Sequence, residues 1–237
     1  MMTELVLVEG VSDVQLISYY LQNVYEWKHE KDNVLGIAPL DKHEHIESLS
    51  KNGNQLVLCG VGGNGKFAHF VEQHRINSMI TERDISSLVV VTDRDDATDA
   101  NVTRVINNAL EKISVKPGQW KDNAIEDSFG QTKNICTYLL IIPANEKGAL
   151  ERVIINALND NPQETDLIQA VGHFIDCLKM ELVPELNKTN KANKATVGTF
   201  FSVRNPQYAM RAFGIYISEI DWTQSESLKE LFYHSCI

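Results

Sequence analysis

Three carboxylates close an apolar run at Val89-Val90-Val91-Thr92-Asp93-Arg94-Asp95-Asp96. Side chains alternate along an extended chain, so Asp93 and Asp95 point to one side. Two carboxylates held side by side repel each other unless something neutralises them. A hard divalent cation does this, and Mg²⁺ is typically held by one or two carboxylates together with substrate phosphates. A solvated acidic turn at the end of a strand would use the same residues without a metal. A second pair of acids, Glu9 and Asp13, follows Leu5-Val6-Leu7-Val8, with Gly10 placed for a sharp turn. Asp13 has a plain structural use too, because the first turn of a helix favours a negative charge.

These acids need elements that deliver them together. Residues 4–8 and 87–92 read as parallel strands buried on both faces, which show continuous apolar runs instead of alternation. Ser12 and Gln15 have capping-box spacing, so a helix is predicted over 12–24, with Val14, Leu16, Ile17, Tyr20 and Leu21 on its apolar face. Further strands are predicted at 34–37, 55–59 and 134–142. Further helices are predicted at 67–80 and at 100–113, the latter with Val102, Val105, Ile106 and Leu110 on one face; residues 116–133 read as irregular. The alternation predicts an α/β fold, a doubly wound, Rossmann-like parallel sheet flanked by helices. Such sheets bind ligands at the carboxyl ends of their strands, where Glu9 and Asp93 fall. Beyond Pro143 the pattern turns helical, at 148–158 and 166–182, with Phe174 on the apolar face of the second stretch. The chain thus divides into a core of 1–145 and a mainly helical extension of 146–237.

Gly60-Val61-Gly62-Gly63-Asn64-Gly65-Lys66-Phe67 has the spacing of a phosphate-binding loop, between a predicted strand and a predicted helix. Phe67 stands where a Ser or Thr hydroxyl would hold Mg²⁺. The loop therefore reads as a tight turn beside the acids, with Phe67 buried and without ATP binding. Lys66 is either a contact to a substrate phosphate or a solvated lysine. His43 and His45 lie two apart with no cysteine or third histidine near, so residues 41–45 read as a solvated loop or helix start. His69 and His74 read as surface residues.

The chain has 237 residues, 43% of them hydrophobic, and a net charge of −10, which argues against indiscriminate coating of nucleic acid. Cys59, Cys136, Cys177 and Cys236 are scattered without CxxC spacing, as in a reduced, cytoplasmic protein. No signal peptide or long apolar run suggests export or a membrane span. One segment departs from the average. Residues 187–218 carry Lys188, Lys191, Lys194, Arg204 and Arg211 and no acid, a local charge of +5 against −15 for the rest. Phe200, Phe201, Tyr208, Phe213 and Tyr216 are interleaved there. Basic residues among aromatics suit a nucleic-acid strand, through phosphates and base stacking. Core aromatics beneath a solvated basic face would give the same pattern.

Leu7-Val8-Glu9-Gly10-x-x-Asp13, followed by Val91-Thr92-Asp93-x-Asp95, resembles the Toprim domain, the metal-binding fold of topoisomerases, bacterial primases, small maturation nucleases and OLD-family nucleases. The resemblance covers roughly residues 4–145. The later segments Leu139-Leu140-Ile141-Ile142-Pro143, Gly148-Ala149-Leu150-Glu151 and Asn193-Lys194-Ala195 resemble small stand-alone Toprim-like proteins. It implies an Mg²⁺- or Mn²⁺-dependent nuclease acting on DNA or RNA. Glu9, Asp13, Asp93 and Asp95 would be metal ligands, with Glu9 alternatively a general base. The further metal-binding glutamate of OLD-like nucleases matches Glu151 ahead of Glu146. Their late catalytic lysine matches Lys194, with Lys191 the next candidate. Lys66, Lys188, Lys191, Arg204 and Arg211 would contact nucleic acid. No separate domain with a nucleophilic tyrosine supports a topoisomerase, and no zinc ribbon supports a primase. OLD proteins carry an ATPase in the same chain and this sequence does not. A separately encoded ATPase partner and a role in phage defence are what the resemblance implies. The second reading is a non-catalytic, metal-dependent nucleic-acid-binding or regulatory module. The sequence leaves the oligomeric state open.

Overall fold

Continuous apolar runs that cannot face water on either side form the centre of one sheet: β1 (Thr3–Val8), β4 (Asn54–Gly60) and β5 (Ile85–Asp93). β1 lies between the other two and pairs with both in parallel, Val8 opposite Gly60 on one side and Val91 on the other. Leu5, Leu7, Val57, Leu88 and Val90 are fully buried there. Adding β2 (Lys28–Glu30), β3 (His45–Lys51), β6 (Lys121–Glu126) and β7 (Thr132–Ile142) gives a seven-stranded sheet in the order β2-β3-β4-β1-β5-β7-β6. The outer pairs β2–β3, β3–β4 and β6–β7 are antiparallel. This computed structural model describes residues 2–127, 129–208 and 213–233, so Arg211 lies outside the described residues. The architecture is α/β and Rossmann-like with a helical C-terminal part, as the sequence predicted; the central pairs β1–β4 and β1–β5 are parallel and antiparallel pairs flank them.

The chain forms two compact units. The first comprises the sheet with α1 (Val11–Tyr25), α2 (Phe67–Gln73), α3 (Ile76–Glu82) and α4 (Asp99–Leu110). The second takes in Asp93–Asp96 and everything from Ile142 to Tyr233. It contains α5 (Leu150–Asp160), α6 (Thr165–Glu181), α7 (Thr189–Arg204), α8 (Phe213–Ile217) and α9 (Glu226–Tyr233). Its core gathers Ile154, Leu158, Ile175, Phe200, Ile217 and Trp222, with the Trp222 indole donating to the Ile217 carbonyl at 2.7 Å. Among the described residues no helix is long and apolar enough to cross a membrane.

Several local expectations are corrected. Helix α1 starts at Val11, and its cap is the Asp13 carboxylate accepting from the Gly10 N–H at 2.9 Å in place of the Ser12/Gln15 box. Residues 34–37 form a turn instead of a strand, pinned by the Asn33 side chain, which bonds both backbone groups of Ile37. The helix expected over 67–80 breaks at Arg75, whose φ of +52° is left-handed, and resumes as α3. At the break the His74 side chain is buried instead of exposed, its Nε2 3.0 Å from Glu44. Residues 116–133 contain β6. Val105 and Phe174 are exposed, because the buried stripes run through Val102, Ile106 and Leu110 in α4 and through Ile168, Val171 and Ile175 in α6.

Candidate functional site

In the first unit the site is built from strand ends. Glu9 follows the last residue of β1, and the parallel register sets Thr92 of β5 beside it. The Thr92 hydroxyl donates to Glu9 Oε1 at 2.6 Å, and Glu9 is only 7% exposed. Asp13, equally buried, has its carboxylate over the start of α1 through the Gly10 bond. The glycine loop closes over the same turn. The Val61 N–H donates to the Val8 carbonyl at 2.9 Å and the Gly63 N–H to the Glu9 carbonyl at 2.7 Å. The loop needs Gly60, since a Cβ there would sit 3.1 Å from the Gly10 backbone. Phe67 is buried, as the sequence predicted. Lys66 is exposed, and its charge helps to hold the Asp41 carboxyl below its usual value, behind the larger effect of the His43 N–H.

Directly after Thr92 the chain enters the second unit, where the other acids lie. Asp93 Oδ1 accepts from the Leu150 N–H at 3.0 Å. Helix α5 has no side-chain cap from its own N-cap residue, Ala149, so Asp93 satisfies one of its orphan donors and meets the positive end of its dipole. Asp95 has a left-handed backbone, φ +50°, and forms a two-bond antiparallel bridge with Gly148. Its Oδ1 accepts from Asn190 Nδ2 of α7 at 2.6 Å. Arg94 turns away to the carbonyls of Pro143 and Ala144, while Asp96 sits 3.4 Å from the Lys147 ammonium.

Glu151 stands in the first turn of α5, and the Lys194 ammonium of α7 approaches it to 3.8 Å. The second unit thus brings these two sequence candidates together. Glu146 is occupied by Arg152 and Asn156, both at 2.8 Å. The remaining basic candidates divide. Lys188 is exposed at the start of α7, and Lys191 is exposed and paired with Glu185, whose carboxyl its hydrogen bond and charge pull below the usual value. Arg204 makes a forked pair with the buried Glu164, its Nε 2.9 Å from both carboxylate oxygens, and its Nη1 lies 3.6 Å from Glu219. Phe200, Phe201 and Tyr216 are buried, and Phe201 packs on Phe200, Phe213 and Tyr216, so these aromatics belong to the core and have no free face for a base.

Sequence reasoning missed Thr92, Asn190 and the Glu44–His74 pair. A hydroxyl preceding Asp-x-Asp and an asparagine in the basic segment were visible, but their partners lie far along the chain. All the candidate metal ligands are hard carboxylate oxygens, the donor type that suits Mg²⁺ or Mn²⁺. Among the described residues no group of three or more His, Cys, Asp or Glu side chains is arranged to hold a metal ion. The set therefore fits a cation held by one or two carboxylates and completed by water and substrate phosphate, and does not fit an all-protein cage.

The chain belongs to the family described as "Protein of unknown function (DUF3226)", whose profile matches residues 3–233. A solved structure similar to it is that of the hypothetical protein PH0156 from Pyrococcus horikoshii OT3. The two share 15% identity and a TM-score of 0.53 over 98% of this chain and 93% of that one, a likeness of fold. No curated protein matches the chain.

Proposed function

We propose that this protein is a cytoplasmic, Mg²⁺- or Mn²⁺-dependent nuclease of Toprim type that hydrolyses phosphodiester bonds in DNA or RNA. The observation that supports this best is the buried Glu9, oriented by Thr92 at the carboxyl end of a central parallel strand, with Asp93-Arg94-Asp95 starting at the very next residue after Thr92. A metal ion bound by such carboxylates stabilises the attacking and leaving oxygens of an in-line displacement. Glu9, Asp13, Asp93, Asp95 and Glu151 are the candidate ligands we assign to one or two cations, each cation held by one or two of them. Thr92 fixes the orientation of Glu9, and Asn190 that of Asp95. Lys194 supplies positive charge where negative charge develops on the phosphate. The Toprim resemblance adds a separately encoded ATPase partner and a place in phage defence.

A second reading, a non-catalytic metal-dependent binding module, is favoured by one observation: no three candidate ligands converge among the described residues. One experiment separates the two. Labelled DNA and RNA, single- and double-stranded, are incubated with the protein in Mg²⁺, Mn²⁺ or Ca²⁺, beside Glu9→Gln and Asp93→Asn. These variants keep an oxygen to accept from Thr92 and from the Leu150 N–H and remove the charge. The nuclease reading expects metal-dependent cleavage by the wild type and a loss of at least about a hundredfold in both variants, the scale of losing one electrostatic stabiliser. Binding without cleavage in every ion supports the module. Cleavage that persists in EDTA sinks both.

A further inference from the structure

A cleft of about 730 Å³ opens in the first unit, within the range of about 300–1,000 Å³ usual for small-ligand sites. Its walls are the last turn of α1, the start of β2 and the turn that joins β3 to β4. Lys51 there pairs with Asn54, the first residue of β4, and β1 enters the sheet beside Gln55. Glu9 follows the opposite end of β1. The seven residues of β4 separate the two ends, roughly 20 Å at about 3.3 Å per residue. The cleft is therefore not part of the acidic site.

Its lining is polar and unusual in charge. The ammoniums of Lys28 and Lys51 stand against one carboxylate, Glu26, a local charge of +1 in a chain of −10. Among the described residues neither ammonium has an ion-pair partner, and the half-buried Trp27 indole makes no hydrogen bond and no ring contact. Glu26 caps the end of α1 with a left-handed backbone, φ +59°, where glycine is the usual residue. That conformation costs a side chain about 1–2 kcal/mol, so the glutamate is kept against the preference of its backbone. Gln22 is tied back through Nε2 to both oxygens of Ser18, at 3.2 and 3.0 Å.

These features narrow the ligand. A cation on the indole would meet two like charges. An inorganic anion would leave the indole idle, and an apolar molecule would leave both ammoniums idle. A planar ring that carries an anion uses them all. Stacking of a base on an aromatic side chain is worth about 1–3 kcal/mol, an ammonium donates to phosphate oxygens, and Glu26 and Asn52 suit the hydroxyl and amino groups of a sugar and a base edge. We propose that this cleft binds one nucleotide unit without a metal, its base stacked on Trp27 and its phosphate held by Lys28 and Lys51. A free nucleotide and a nucleotide within a single strand share this chemistry. The proposal stands apart from the nuclease reading.

The test titrates the full chain in EDTA, which leaves the acidic site without a cation, and follows AMP, adenosine and ribose 5-phosphate by calorimetry. Fluorescein-labelled 12-nucleotide DNA and RNA, read by anisotropy, form the second arm. AMP is expected to bind at least about tenfold tighter than adenosine or ribose 5-phosphate, each of which lacks one of the two main contacts. Trp27→Ala should weaken AMP about tenfold or more, and Trp27→Phe, which keeps a ring, should recover most of that loss. Lys28→Gln combined with Lys51→Gln should weaken AMP by at least about tenfold and leave adenosine unchanged. An oligonucleotide that binds tighter than AMP and weakens in the same variants makes the strand the ligand; binding of AMP alone makes it the free nucleotide. Equal affinity for ribose 5-phosphate and AMP overturns the stacked base. Affinity unchanged in both Trp27→Ala and the lysine pair overturns the cleft as the site, and so does a wild type that binds neither AMP nor an oligonucleotide.

Discussion

Arg204 has the charge for binding phosphate and is used for something else. Its guanidinium forks onto Glu164, a carboxylate buried in the second unit, forty residues earlier in the chain. Nothing in a local pattern reveals such a partner, so a basic segment read from sequence overstates the charge it offers. Arg204→Ala should destabilise the protein by about 3 kcal/mol, because removing one member of a buried pair leaves the other uncompensated. Replacing both, Arg204→Met with Glu164→Leu, should recover most of the loss. Urea unfolding measures this, and equal stabilities for Arg204→Ala and the wild type would show that water solvates Glu164. The sequence shows the scattered spacing of the cysteines but not the separate environments of Cys59, Cys136 and Cys177. Burial, and then the charge of Glu44, push the Cys59 thiol far up, and a hydrogen bond to Asp122 raises that of the exposed Cys136. The thiolate is the reactive form. At pH 8 iodoacetamide should therefore modify Cys177 before Cys136 and reach Cys59 only on unfolding, as mapped by peptide mass spectrometry. Native labelling of Cys59 would contradict its burial.

At the scale of elements, the continuously apolar central strands were legible, while β3, α7 and α9 were not predicted although each buries residues. The runs that became β1, β4 and β5 contain little besides apolar residues, and burial on both faces writes that pattern directly into the sequence. β2 is exposed along its whole length, and β6 buries only Ile125, so neither shows any period. The β3–β4 hairpin did leave a signal: the two-residue Asn52-Gly53 turn, both residues at positive φ, between Lys51 and Asn54. Caps were half legible. Ser12 has the right spacing, yet Asp13 reaches the Gly10 N–H and takes the role. Asp13→Ala should cost about 1 kcal/mol, the usual value of an N-terminal cap, and Ser12→Ala less than about half that. The reverse order in chemical denaturation would restore the Ser12 box. Gly148→Ala should cost more than either, since it combines a strained backbone with a Cβ 3.0 Å from Arg152.

For the whole molecule the telling quantity is the distribution of charge. A net charge of −10 would repel a polyanion, while the segment 187–218 carries +5. The structure lowers what that segment can give: Arg204 is committed to Glu164 and Glu219, and Phe200, Phe201 and Tyr216 are buried. Lys188, Lys191 and Lys194 are exposed on α7 or at its start. The contacts of Lys191 with Glu185 and of Lys194 with Glu151 do not remove them from play. A surface pair of this kind is worth about 0–1 kcal/mol and is readily exchanged for a phosphate. Each neutralised phosphate contributes about 0.7 to 0.9 to the slope of log affinity against log salt. If these three lysines carry the electrostatic part of binding, replacing all of them by alanine should flatten the slope by about 2 to 3 and leave the unfolding temperature unchanged. Anisotropy titrations in Ca²⁺ at a series of salt concentrations measure this. A slope unaltered by the triple replacement would make the segment a solvated face over a packed core, and would leave metal-bound phosphate as the anchor of the strand.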